Sequence, residues 1–164
     1  MWAAAPSRDL MAKPEDPYEL ALKALGHKER TEAELAEWLR ARGVAEEDLA
    51  TVLERLHEAG AIDDDRFARR FAEDKRELRG WGPDRIAEAL RARGVNETLI
   101  EVAVEAEGAE ALLGRAIELL ELSGVAPCDE ASRAKALALL ARRGFPLEVA
   151  YDAVRALERR PRAA

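Results

Sequence analysis

The chemistry this chain offers is concentrated in a basic run around one tryptophan. Lys75, Arg76 and Arg79 precede Trp81, Arg85, Arg91 and Arg93 follow it, and Arg69 and Arg70 lie just upstream. Guanidinium groups beside an aromatic ring suit two tasks. They anchor protein interfaces, where arginine and tryptophan carry much of the binding energy. They also hold single-stranded nucleic acid, where cations meet phosphates and bases stack on rings. A second basic pair, Arg142 and Arg143, completes the candidate binding set. The bland alternative is that Trp81 plugs a seam between structural units while the arginines sit in water.

Little else could carry chemistry. Catalysis needs a nucleophile with a base and an orienting group, or a metal cluster. The two histidines, His27 and His57, lack ligand spacing. Each falls near an expected helix end, where imidazole can bond to a free carbonyl. The single cysteine, Cys128, has no flanking base, so a reactive role is not expected. It cannot form an internal disulfide, which points to a reducing, cytoplasmic compartment. Gly80-Trp81-Gly82 matches half of a phosphate loop, but no strand precedes it and no Lys-Ser/Thr follows. It reads as a backbone turn. The chain thus reads as a non-enzyme with no cofactor and no metal. Its start lacks the charged and apolar regions of a signal peptide, and no apolar run approaches the roughly 18 residues that span a bilayer. A monomer without a membrane partner is expected.

The elements that must position these residues are helices. Hydrophobic residues make up 48% and charged residues 36%, with Ala, Leu, Glu and Arg, all strong helix formers, dominant. A first helix is expected from Tyr18 to His27 on Leu20, Leu22 and Leu25. Thr31 and Glu34 form a capping box for a second helix, which carries Leu35, Trp38 and Leu39 and stops at Gly43. A third runs from Glu46 to Ala59. The helix from Arg66 to Leu78 is expected to bury Phe67, Phe71 and Leu78. Gly80 and Gly82 then make a tight turn, Pro83 suits a first helical position, and Gly94 suits a left-handed stop. Asn96 caps the next helix, and another starts near Ala109 with Leu112, Leu113, Ile117 and Leu120 inward. The segment 123–129 is the best flexible joint. Asp129 caps a helix that stops at Gly144, and Pro146 starts the last.

Three of these helices share an ending. Leu39-Arg-Ala-Arg-Gly-Val44 returns 51 positions later as Leu90-Arg-Ala-Arg-Gly-Val95, and 50 later again as Leu140-Ala-Arg-Arg-Gly-Phe145. Apolar positions stay in register around it: Leu35 with Ile86 and Ala136, Leu49 with Ile100 and Ala150. The expected fold is all-α, an elongated stack of three tandem three-helix repeats of about 50 residues each. Its parts are a mobile tail (1–16), repeats over 17–61, 62–107 and 108–158, and a basic end (159–164).

Net charge is −7, which argues against a protein that simply coats DNA. The charge is uneven. Residues 65–95 hold nine Lys/Arg against six Asp/Glu, whereas residues 96–131 hold Arg115 alone against nine acids. A basic middle with an acidic flank suits oriented docking on a polar partner. Charge reversal at Arg76, Arg79, Arg85 and Arg91 is expected to weaken binding and leave helicity intact.

Over residues 17–158 the chain resembles the RecX regulators of the bacterial recombinase RecA. The resemblance rests on Ile62-Asp-Asp-Asp-Arg-Phe-Ala68, Arg79-Gly-Trp-Gly-Pro-Asp-Arg-Ile86 with the Leu90–Val95 exit, and Leu140-Ala-Arg-Arg-Gly-Phe145, in that order. It implies tandem three-helix repeats and a non-enzymatic protein of homologous recombination, DNA repair and the SOS response. Such a protein binds the RecA filament on single-stranded DNA, along its helical groove. It inhibits the ATPase, strand-exchange and co-protease activities and limits filament growth. The alternative from the residues alone is a stand-alone helical nucleic-acid-binding protein, or an adaptor with another protein partner.

Overall fold

The computed structural model describes residues 15–159. The expected tail, with Trp2, and the basic end lie outside them, save Glu15, Asp16 and Arg159. Among the described residues there are nine helices and no strand. They are α1 (Pro17–His27), α2 (Glu32–Arg40), α3 (Glu46–Glu58), α4 (Asp64–Arg79), α5 (Pro83–Ala92), α6 (Glu97–Glu105), α7 (Ala109–Ser123), α8 (Glu130–Arg143) and α9 (Leu147–Glu158). The chain divides between Asp63 and Asp64 into two compact units, the first holding α1 to α3 and the second α4 to α9.

Packing follows triplets. Each third helix lies against the two before it: α3 on α1 and α2, α6 on α4 and α5, α9 on α7 and α8. Every triplet has its own apolar core. Leu39, Leu90 and Leu140 are fully buried at the matching place in each, as are Leu35, Ile86 and Ala136. The internal sequence register is therefore a register of cores.

Local chemistry explains the ends. The Thr31 hydroxyl accepts the Glu34 amide at 3.2 Å while the Glu34 carboxylate accepts the Thr31 amide at 3.2 Å. Asn96 accepts from the Thr98 amide at 2.9 Å. Asp129 accepts from the Ser132 amide at 2.7 Å, and these bonds from Ser132 hold its carboxyl below the usual range. Thr31 is also fully buried. Thr31→Ala is expected to cost about 1 kcal/mol, the usual worth of such a cap. Urea unfolding of the full chain would show it, and an unshifted midpoint would refute it.

Several expectations need correction. In α1 the buried positions are Ala21 and Ala24, whereas Leu22 is exposed and Leu20 and Leu25 are half-buried. Small side chains let α1 approach its neighbours closely, since axial separation follows the residues at the crossing. Ala68, Ala72 and Ala116 repeat the device in α4 and α7. Leu78, expected inside, is exposed, because the last turn of α4 runs past the core of its own triplet. Among the described residues neither histidine bonds to a carbonyl: His27 is exposed, and His57 Nε2 meets the Glu32 carboxylate at 2.6 Å. The segment 123–129 joins α7 to α8 within one triplet.

Candidate functional site

The basic run is organised by a contact between the second and third triplets, both inside the second unit. Helix α4 ends at Arg79, and Gly80 turns the chain at φ +60°. Gly82 is then the N-cap of α5, with Pro83 in its first turn. Opposite lies the exit of α8, where Gly144 takes φ +82°. The two turns touch through their main chains. The Gly82 amide donates to the Arg143 carbonyl at 2.7 Å, and the Asp84 amide donates to the Gly144 carbonyl at 3.0 Å. No side chain fits between them. A Cβ on Gly82 would lie 2.3 Å from the Gly144 oxygen, and one on Gly144 would lie 2.4 Å from Arg85 Cβ.

Arginines tie the same turns together. Arg85 donates to the Arg142 carbonyl at 3.0 Å, and Arg143 donates to the Arg79 carbonyl. Cations at helix ends satisfy carbonyls that lack an intrahelical partner and oppose the negative end of the helix dipole. From α7, Arg115 donates to the Trp81 carbonyl at 3.0 Å and the Arg76 carbonyl at 3.4 Å. Arg115 also binds both oxygens of Glu107, one at 2.9 Å. Arg76 lies 3.5 Å from the Glu107 carboxylate and donates to the carbonyls of Ala103 and, at 3.1 Å, Val104. Burial lowers the pKa of the Arg76 guanidinium, and the Glu107 charge opposes that shift.

The eleven candidate cations and aromatic therefore divide. Arg76, Arg79, Trp81, Arg85, Arg142 and Arg143 meet at the junction. Trp81 is half-buried against the core of its triplet, with the Arg85 guanidinium 4.4 Å from its ring centre and the Lys75 ammonium at 5.3 Å. Arg93 lies over Phe67 at 4.4 Å. Arg69 pairs with Asp65 at 2.9 Å and Arg91 with Glu97 at 3.0 Å, so neither belongs to the junction contacts. Arg70 is exposed on α4. The side chains of Arg79 and Arg142 are exposed and hold no hydrogen bond or ion pair among the described residues. Of the other turn glycines, Gly43 sits in the first unit at φ +81° and Gly94 at φ +75°.

One expected outcome changes here. Charge reversal at Arg76 would set a second carboxylate beside Glu107 and uncap α6, so it would disturb the fold along with any binding. Sequence reading also passed over Arg115 and Glu107. The signal was present: Arg115 is the lone cation in an otherwise acidic run. A second overlooked pattern is the clamp from the end of one helix to the start of the next, Arg40 to Glu46 and Arg91 to Glu97, at matching repeat positions.

Two family models match the chain. The first three-helix domain of RecX covers residues 18–56, and the second three-helix domain covers 63–104. The regulatory protein RecX of Mycolicibacterium smegmatis is 32% identical over 155 residues, spanning 90% of this chain and 82% of that protein. The chain belongs to the RecX family. The regulatory protein RecX of Streptomyces coelicolor is 37% identical over 154 residues, spanning 87% of this chain and 79% of its own length. The crystal structure of RecX from Lactobacillus salivarius superimposes with a TM-score of 0.80 at 21% identity, over 87% of this chain and 94% of that one. That likeness shows the RecX fold. Within it, the glycine turn at Gly80–Gly82 falls inside the second matched domain, and the Arg142–Gly144 exit lies beyond both. No helix among the described residues is long and apolar enough to cross a membrane.

Proposed function

We propose that this RecX-family chain regulates the RecA recombinase, binding its filament on single-stranded DNA and restraining ATPase, strand-exchange and co-protease activities. In this reading it is a non-enzymatic control on homologous recombination and DNA repair. The observation that carries the reading is the glycine-to-glycine junction, whose two turns carry Arg79 and Arg142 as exposed cations with no partner among the described residues. Several cations on one frame can engage several sites of a polymeric partner at once, and such contacts gain from multivalency. The relatives' common name, regulatory protein, supports the same role.

Stand-alone binding of nucleic acid is less well supported. The Arg85 guanidinium occupies the neighbourhood of the Trp81 ring on which a base would stack, and the net charge is −7.

The test is Arg79→Glu with Arg142→Glu, assayed on RecA filaments and on naked oligonucleotide. The expected result is inhibition weakened by about tenfold or more, equivalent to roughly 1.4 kcal/mol, with the circular dichroism of the parent. Unchanged inhibition would remove Arg79 and Arg142 from the contact, and a parent protein that leaves the filament's activities untouched would rule the reading out. Binding to bare oligonucleotide that collapses between low and moderate salt, with no preference for filament, would favour the alternative.

A further inference from the structure

The three triplets end in matching helices whose outer faces differ. On α9, Glu148, Tyr151, Asp152, Arg155 and Arg159 fall on one exposed stripe at helical spacing, opposite the buried Ala150, Ala153 and Val154. Leu147 borders the stripe at the start of the helix and is 63% exposed, while Tyr151 is 42% exposed. The repeat register supplies two controls. The counterparts of Leu147, Tyr151 and Arg155 are Glu46, Ala50 and Glu54 on α3, and Glu97, Glu101 and Glu105 on α6. At these exposed places the first two triplets show water five carboxylates and an alanine, whereas the third shows a leucine, a tyrosine and a cation. Tyrosine and arginine together are the makeup of an interface centre. The charges on the α9 stripe also have an order. The acids Glu148 and Asp152 lie in its first half, and Arg155 and Arg159 in its second. The side chains of Glu148 and Arg159 hold no hydrogen bond or ion pair among the described residues. Asp152 and Arg155 stand 3.9 Å apart, and Glu158 at the edge is taken by Arg133 at 2.8 Å.

We propose that the α9 stripe is the contact of a symmetric dimer, in which α9 of one chain lies antiparallel to α9 of a second copy. A two-fold contact must be self-complementary, the same patch facing itself in reverse. This stripe meets that condition. Reversed, its acidic half falls on the basic half of its twin, and the pairing is made twice. Tyr151 lies near the middle, so the two rings meet close to the axis and leave water together. A parallel pairing would set like charges against each other. The same contact is closed to the other two triplets, because Glu47, Glu54 and Glu58 on α3, and Glu101 and Glu105 on α6, would face only carboxylates. One helix pair buries less than the ~1,200 Å² at the low end of stable interfaces. The dimer is therefore weak, with a dissociation constant on the order of 0.1 mM. A monomer, the expectation from the residues alone, is then the dilute form. The proposal does not rest on the regulatory reading, since it names a second copy of this chain and no other partner.

The test is sedimentation equilibrium of the full chain from about 10 µM to about 1 mM at low salt. The average mass is expected to climb from one chain toward two, and the climb to shrink in about 0.5 M salt. Two variants reverse one half of the stripe each, Arg155→Glu with Arg159→Glu, and Glu148→Arg with Asp152→Arg. All four side chains are exposed, so both variants are expected to keep the parent's circular dichroism. Each is expected to weaken self-association at least about tenfold, and an equimolar mixture of the two to restore it. Mixing repairs a charge pairing but not a damaged helix. If a reversal loses the parent's circular dichroism, Tyr151→Ser, which changes no charge, takes its place with the same expected loss. A parent that stays a single chain throughout the range would overturn the proposal. So would variants that associate as the parent does, or a mixture that stays monomeric. Mass gained only when an oligonucleotide or a recombinase filament is added would assign the stripe to that partner and overturn the dimer.

Discussion

Gly144→Ala is expected to destabilise the second unit by about 3 kcal/mol, against roughly 1 kcal/mol for Gly43→Ala at the matching place in the first triplet. Both glycines take left-handed backbone, at φ +82° and +81°, so both substitutions incur the same local strain. They differ in surroundings. Nothing lies within 4 Å of a Cβ on Gly43, whereas one on Gly144 would sit 2.4 Å from Arg85 Cβ and 2.5 Å from the Arg85 nitrogen. Those atoms are backbone and Cβ, which cannot swing aside, so the α8 exit must move off α5. That movement breaks the amide bonds from Gly82 and Asp84. Chemical unfolding followed by Trp81 emission, with Trp2 and Trp38 replaced by phenylalanine, reads the second unit, and Trp38 emission, with Trp2 and Trp81 replaced, reads the first. Equal losses at the two glycines would show that the close approach contributes nothing.

Glu107→Gln is the second large effect, expected to cost roughly 2 to 3 kcal/mol. Its carboxylate side chain is 9% exposed and lies between Arg76 and Arg115, whose side chains are 14% and 23% exposed. Removing the one anion leaves two sparsely hydrated cations facing each other. Breaking a fully buried pair in this way costs about 3 to 5 kcal/mol, and the remaining exposure reduces it. An internal control is available in Glu46→Gln, which breaks an ion pair whose partners are 51% and 68% exposed. That change should leave the unfolding midpoint where it is, because solvent screens so exposed a pair. Combining Glu107→Gln with Arg115→Gln is expected to cost less than the sum of the two, because the second change removes one stranded charge. Strict additivity would mean that the three groups do not act together.

What could be read in advance follows the range of each interaction. The boxes at Thr31–Glu34 and Asp129–Ser132 close within three residues, so spacing alone reveals them. The matching burial of Leu39, Leu90 and Leu140 was legible for a related reason, since helix period and repeat period agree there. Ala21 and Ala68 were missed because alanine weighs little in a count of large apolar residues, although closeness is what a crossing needs. Leu78 shares a helical face with Phe67 and Phe71, so periodicity places it inside. Only the length of α4 relative to its core puts it out. The junction itself was beyond reading. Gly82 meets Gly144 across more than a full repeat, and glycines announce flexibility more readily than close approach. For the candidate site, residue types picked out the basic run, but the division between structural arginines and open ones depends on carbonyls far along the chain.

Because Gly82 and Gly144 meet through main-chain atoms, part of the alignment of α5 against α8 is set without side chains, and Arg85 and Arg143 supply the rest. Arg79 and Arg142, whose side chains hold no contact among the described residues, can be exchanged on an unchanged frame. The junction behaves as a gauge block: recognition can be retuned one residue at a time on a mounting whose dimensions do not change.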